Sequence, residues 1–118
     1  MTRAVEYKSY VEPVRAELMK LIPAGRVTYY GELGQTIGKP ARWSHWKKVL
    51  DEISFDEPDI SIIVLLAGAG WPGQIDYSAT DGKPTDKQKK FAQEQLTKVF
   101  ALHCPGKPVP QLPVKKRR

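Results

Sequence analysis

Residues 22–42 read IPAGRVTYYGELGQTIGKPAR, and the way this stretch divides decides the fold. PAGR at 23–26 carries a proline and a glycine, which break a helix arriving from the N-terminal side. Val27 to Tyr29 reads as a short extended piece, and Tyr30 to Ile37 as a short helix closed by Gly38 and Pro40. A further helix is expected to begin near Pro40 or Ser44 and to continue through Trp46, Val49, Leu50 and Ile53. Upstream, Val11, Val14, Leu18, Leu21 and Ile22 recur at helical spacing, with Pro13 near the start, where its missing N–H costs little. Helix, short turn, helix thus forms a compact bihelical unit behind a first helix.

Downstream of the acidic FDEPD, Ile60 to Leu66 is an unbroken apolar run that reads as a strand buried on both faces or against helices. A Gly/Pro-rich loop follows, then QIDYSATDGKP, which is expected to supply a short return strand or a wing. Thr85 opens a last helix, because Gln88 three residues later has the capping-box spacing. Phe91, Ala92, Leu96, Val99 and Phe100 form the apolar stripe of that helix. The end, CPGKPVPQLPVKKRR, is Pro-rich and basic and reads as a mobile tail. The fold class expected is α+β and mainly helical, with one domain over residues 1–106 and a flexible tail over 107–118.

A chain of 118 residues fits one domain, which can bury a real core but not the two βαβ halves of a full dinucleotide fold. No stretch approaches the roughly 20 apolar residues of a membrane span, and the first residues lack the continuous apolar core of a signal peptide. A soluble, intracellular protein is therefore expected, cytoplasmic (with the nucleoid) or nuclear. The single cysteine, Cys104, makes no internal disulfide and builds no zinc site alone. The net charge of +6 is unevenly spread: +5 over residues 1–50, −7 over 51–86, +3 over 87–106 and +5 over the tail. One face suited to phosphates and another that repels them is the expected result, with ordinary solvated charge as the alternative.

The loop GAGWPG at 68–73 is a literal GxGxxG. A dinucleotide fingerprint needs a helix that begins inside the motif, so that its N-terminus faces the pyrophosphate. Trp71-Pro72 occupies the motif and turn formers follow it, so the loop reads as a tight strand-to-wing turn with Trp71 covering the edge of the core. No cofactor and no metal site is expected.

The quoted segment resembles the start of the DNA-binding domain of O6-alkylguanine-DNA alkyltransferases and of the catalytically silent alkyltransferase-like proteins. The resemblance lies in Ile22, Pro23, Gly25, Arg26, Val27, Tyr30, Gly31 and Glu32, then in Gly38, Pro40, Ala41 and Arg42, and the order of elements extends it over about residues 10–103. It implies a winged helix-turn-helix that docks its second helix in the minor groove. A tyrosine at the position of Tyr30 would press on the phosphate of the target nucleotide. An arginine at the position of Arg42 would enter the base stack as the base rotates out. Flipping costs a few kcal/mol of stacking and pairing, and a planar guanidinium can fill the gap and bond the orphaned base.

The departures from that family matter as much. Its transferases carry Pro-Cys-His-Arg where this chain has Ser61, Ile62, Ile63 and Val64. None of these side chains attacks or accepts a proton, so no transferase chemistry is expected, with Ile62 at the position of the alkyl-accepting cysteine. Cys104, beside His103 after the last helix, sits at the negative end of a helix dipole, which raises a thiol pKa, and is read as incidental. After Arg42 the chain carries Trp43, Ser44, His45, Trp46, Lys47 and Lys48. The buried face set by Val49, Leu50 and Ile53 favours Trp46 as core, while Ser44, His45, Lys47 and Lys48 are left to touch phosphates and groove edges. For Trp43 the core is the stronger reading, with DNA contact as the alternative, and a solvated helix face explains the lysines equally well. Glu32 is expected to be a helix-surface or structural residue rather than an acid catalyst, since the motif places no second carboxylate. Lys115, Lys116, Arg117 and Arg118 would each add about one unit of counterion release per phosphate neutralised, or serve as an import patch or a contact for an acidic partner.

The resulting expectation is a monomeric, non-enzymatic, alkyltransferase-like protein that binds duplex DNA, alkylated DNA included, with base displacement or lesion sensing. The alternative is a protein-interaction module that keeps the fold without a working base pocket, with residues 51–59 and the GAGWPG loop facing a partner.

Overall fold

A computed structural model describes residues 7–75 and 83–115. Helix α1 spans Lys8–Leu21, strand β1 Thr28–Tyr29, helix α2 Tyr30–Ile37, helix α3 Trp46–Ile53, strand β2 Val64–Leu65 and helix α4 Asp86–His103. The fold is α+β, and the two strands form a parallel ladder in which Thr28 faces Val64 and Tyr29 faces Leu65. No helix among the described residues is long and apolar enough to cross a membrane.

Helix α1 starts earlier than its apolar spacing suggests, which puts Pro13 inside it rather than near its start. A proline there removes a backbone hydrogen bond. Packing holds the added first turn instead: the ring of Tyr10 meets Trp43 edge-on at 5.0 Å, and Tyr7 stacks on His45 at 6.4 Å. Helix α2 ends at Gly38, whose φ of +72° closes the last turn through a bond from its N–H to Gly34. Its neighbour α3 starts only at Trp46, later than expected. Over residues 40–46 successive turns replace helix, with Trp43 N–H donating to Pro40 O at 3.1 Å and Trp46 N–H to Trp43 O at 3.3 Å.

The apolar run 60–66 is not one strand. Ile60–Ile63 form a single 3₁₀ turn, and only Val64–Leu65 pair with β1. The cause is Asp59, whose carboxylate accepts from both Ser61 N–H (2.9 Å) and Ser61 Oγ–H (2.5 Å), offering the backbone a local alternative to a ladder. Burial was read correctly for Ile60 to Leu65, all of them buried, while Leu66 is half-buried; Ile60, Ile62, Ile63 and Val64 share one core with Val14, Leu18 and Ile22 of α1, Val49, Leu50 and Ile53 of α3, and Leu96, Val99 and Phe100 of α4. Helix α4 carries the expected capping box at Thr85 and Gln88, with both reciprocal bonds present. Phe91, expected in its apolar stripe, is exposed.

Residues 66–73 turn tightly and hold no helix. Gly70 N–H donates to Leu66 O at 2.7 Å, Leu66 N–H to Trp71 O at 2.9 Å, and Leu65 and Pro72 form an antiparallel bridge. Most of the expected wing, residues 76–82, lies outside the described residues.

Residues 107–115 of the expected tail lie against the body. Val109 and Leu112 pack on the core. The Gln93 side chain holds the same segment twice, donating to Pro110 O (3.1 Å) and accepting from Leu112 N–H (2.8 Å). Val114 N–H donates to Gly70 O at 2.9 Å, and Val114 O accepts from the Tyr29 hydroxyl at 2.9 Å.

Candidate nucleic-acid interface

An open pocket of about 540 Å³ is lined by Tyr30, Trp43, Ser44, Trp46, Lys47, Gly73, Gln74 and Ile75. Its size falls in the range of ligand sites, roughly 300–1,000 Å³. Of the residues the sequence nominates, Tyr30, Trp43, Ser44 and Lys47 come together here.

Each wall follows from local structure. Tyr30 is the first residue of α2, directly after β1, so the parallel ladder fixes where its ring leaves the backbone. Trp46 is 4% exposed and donates its indole N–H to Pro40 O at 2.9 Å, tying the start of α3 to the turn after α2. Tyr30 meets Trp46 edge-on at 5.7 Å, and Trp43 meets Trp46 at 5.4 Å. These edge-to-face contacts keep the rings at fixed angles, worth roughly 0.5–1.5 kcal/mol per pair beyond the area they bury. The facing wall comes from the third glycine of GAGWPG: a Cβ at Gly73 would run into the Tyr30 phenol, so only a glycine lets the loop close on that ring. Gln74 donates to Asp51 at 2.9 Å, and Asp51 also receives Lys47 at 3.4 Å, which holds the ammonium near the mouth.

Arg42 is exposed in the turn before α3, outside any helix, and does not line the pocket. His45, half-buried, stands at the N-terminal boundary of α3 between Tyr7 and Trp43. Lys48 is exposed, with its ammonium 5.7 Å from the centre of the Tyr7 ring. Lys115 is exposed, and Lys116, Arg117 and Arg118 lie outside the described residues. Glu32 is half-buried in the first turn of α2, where a carboxylate complements the helix dipole.

Three residues beside the site escaped the sequence reading. The Lys39 ammonium lies 5.1 Å from the Tyr10 ring centre and 5.3 Å from that of Trp43, joining α1 to the α2–α3 turn through cation–π contacts. Tyr7 completes the cluster. The available signal was Tyr7 and Tyr10 at i and i+3, one face of a helix that starts early.

Ile62, where the resemblance would place the alkyl-accepting cysteine, is 2% exposed inside the core. Cys104 is buried too, its thiol 3.4 Å from Pro23 O. Burial, with Glu32 nearby, pushes the Tyr29 phenol up, so Tyr29 stays protonated and donates to Val114. Among the described residues no group of His, Cys, Asp and Glu is placed to hold a metal ion.

Comparison of the chain with protein-family models, with curated proteins and with solved structures found no match.

Proposed function

We propose that the chain is a non-enzymatic DNA-binding protein of the alkyltransferase-like kind, a winged helix-turn-helix in which α2 and α3 meet duplex DNA and the neighbouring pocket receives a displaced base. The observation that carries this reading is the pocket itself, which gathers Tyr30, Trp43, Ser44 and Lys47 between aromatic walls. A base taken out of the stack is read by stacking between aromatic or apolar side chains and by polar groups at its edge, and Ser44, Lys47 and Gln74 supply the polar groups. Arg42, Lys47 and Lys48 leave positive charge exposed on the turn and helix next to the opening, as phosphate contact requires. The buried Ile62 supports binding without transfer.

The test is fluorescence anisotropy with matched short duplexes, with and without O6-methylguanine, over a salt series. Wild type is expected to prefer the lesion by at least about tenfold, roughly 1.4 kcal/mol, and Arg42→Ala to lose that preference. Unchanged affinity of Arg42→Ala at physiological salt removes Arg42 from the interface. One observation favours the interaction-module alternative: Phe55 is 83% exposed among Glu52, Asp56 and Glu57. That alternative predicts that changing Lys115, Lys116, Arg117 and Arg118 to Gln abolishes all DNA affinity, while Arg42→Ala does nothing.

A further inference from the structure

The C-terminal segment touches two places that lead to opposite walls of the pocket. Val114 O accepts from the hydroxyl of Tyr29, and Tyr29 precedes Tyr30, one wall. Val114 N–H donates to Gly70 O, and three residues on, Gly73 and Gln74 form the other wall. Close packing adds to the hydrogen bonds: Gly70 has φ +78°, and a Cβ there would stand 2.7 Å from Val114 N. Loop bonds from Leu66 N–H to Trp71 O and from Gly73 N–H to Val64 O carry the constraint from Gly70 to the pocket edge, at 2.9 and 3.1 Å. The segment is itself held on alternate residues, at Pro110 and Leu112 by Gln93 and at Val114 by Tyr29 and Gly70, as an extended chain presents its backbone to a receptor.

We propose that residues 110–115 act as a brace that sets the width of the pocket, with Tyr29, Gly70, Gln93 and Val114 as positioning residues. Without the brace, the 66–75 loop loses its tie to the C-terminal segment and relies on its own turn bonds, its bonds to β2 and the Gln74 tether to Asp51. An opening of the loop then separates Gly73 from the Tyr30 ring. That the pocket takes a base rests on the proposed function, whereas the bracing of its walls does not.

The experiment is site-resolved amide hydrogen exchange on the free protein, combined with duplex binding. Tyr29→Phe removes the hydroxyl alone, and Val114→Pro removes the N–H that Gly70 accepts. Each variant is expected to quicken exchange at the Leu66 and Gly73 amides roughly tenfold, with Leu18 and Leu96 unchanged. In the same variants the preference for an O6-methylguanine duplex falls while the salt dependence of general DNA binding stays as in wild type. Quickening confined to Leu112 and its neighbours, with Leu66 and Gly73 as protected as before, overturns the proposal. If Val114→Pro loosens Leu18 and Leu96 as well, Tyr29→Phe, which deletes one oxygen, gives the deciding comparison. Exchange needs no DNA, so a wild type without lesion preference refutes the base-binding reading and leaves the brace to be decided by the exchange data.

Discussion

Asp59 shows how one side chain redirects a segment. Its carboxylate holds Ser61 twice and so winds Ile60–Ile63 into a turn where the apolar run alone predicts a strand. Burial pushes this carboxyl above its ordinary value of 3.8, outweighing the two bonds from Ser61 that favour the charged form. A folded-state pKa that is raised contributes stability that is full below the ordinary value and is lost as pH rises through the folded value. Asp59→Asn keeps an acceptor for Ser61 without the buried charge. Its stability relative to wild type is expected to improve as pH rises from 3.8 upward, read by thermal melts over that range. Asp59→Ala loses the acceptor and costs about 1 kcal/mol at acid pH, where neither residue is charged. Individual residues were legible where periodicity spoke for them: Trp46 belongs to the set 46, 49, 50 and 53, and all four are buried. Lys39 was not, because a lysine over two rings on different elements leaves no mark in local sequence.

The elements most legible in the sequence were those that carry their own terminators. Helix α4 was set by Thr85 and Gln88 at one end and by the 92, 96, 99, 100 stripe along its length. Thr85→Ala removes the acceptor for Gln88 N–H and is expected to destabilise the fold by about 1 kcal/mol in a urea titration. Helix α2 was equally plain, since Gly38 supplies the left-handed turn that stops it. Helix α3 was placed too early, because Arg42, Trp43 and Ser44 have no feature that forbids a helix. The start of α3 is decided instead by the Trp46 indole reaching Pro40, a contact known only once the turn is folded. The strand failed for a related reason: a fully buried segment has no alternation to read, so burial is legible and conformation is not.

At the scale of the whole molecule, the C-terminal segment tests how far composition can be trusted. Three prolines and a basic end read as mobile, yet Val109 and Leu112 complete the core surface and Gln93 reaches out to hold the chain. A mobile tail predicts no change in stability when the chain is cut after Gly106. The packed segment predicts a loss of about 3 kcal/mol, from two half-buried aliphatic side chains and several hydrogen bonds, read from the urea midpoint. The pocket was legible only in part, since Tyr30 was named from the quoted segment and Trp43, Ser44 and Lys47 from the residues that follow it, whereas Gly73 and Gln74 arrive across the fold. All three tryptophans also gather at this end: Trp43 and Trp46 line the pocket and Trp71 closes the turn beside it, while α1 and α4 contain none. Intrinsic emission is therefore a local optical signal. A change in fluorescence that precedes the loss of far-ultraviolet ellipticity marks the pocket end opening while the α1 and α4 helices still stand.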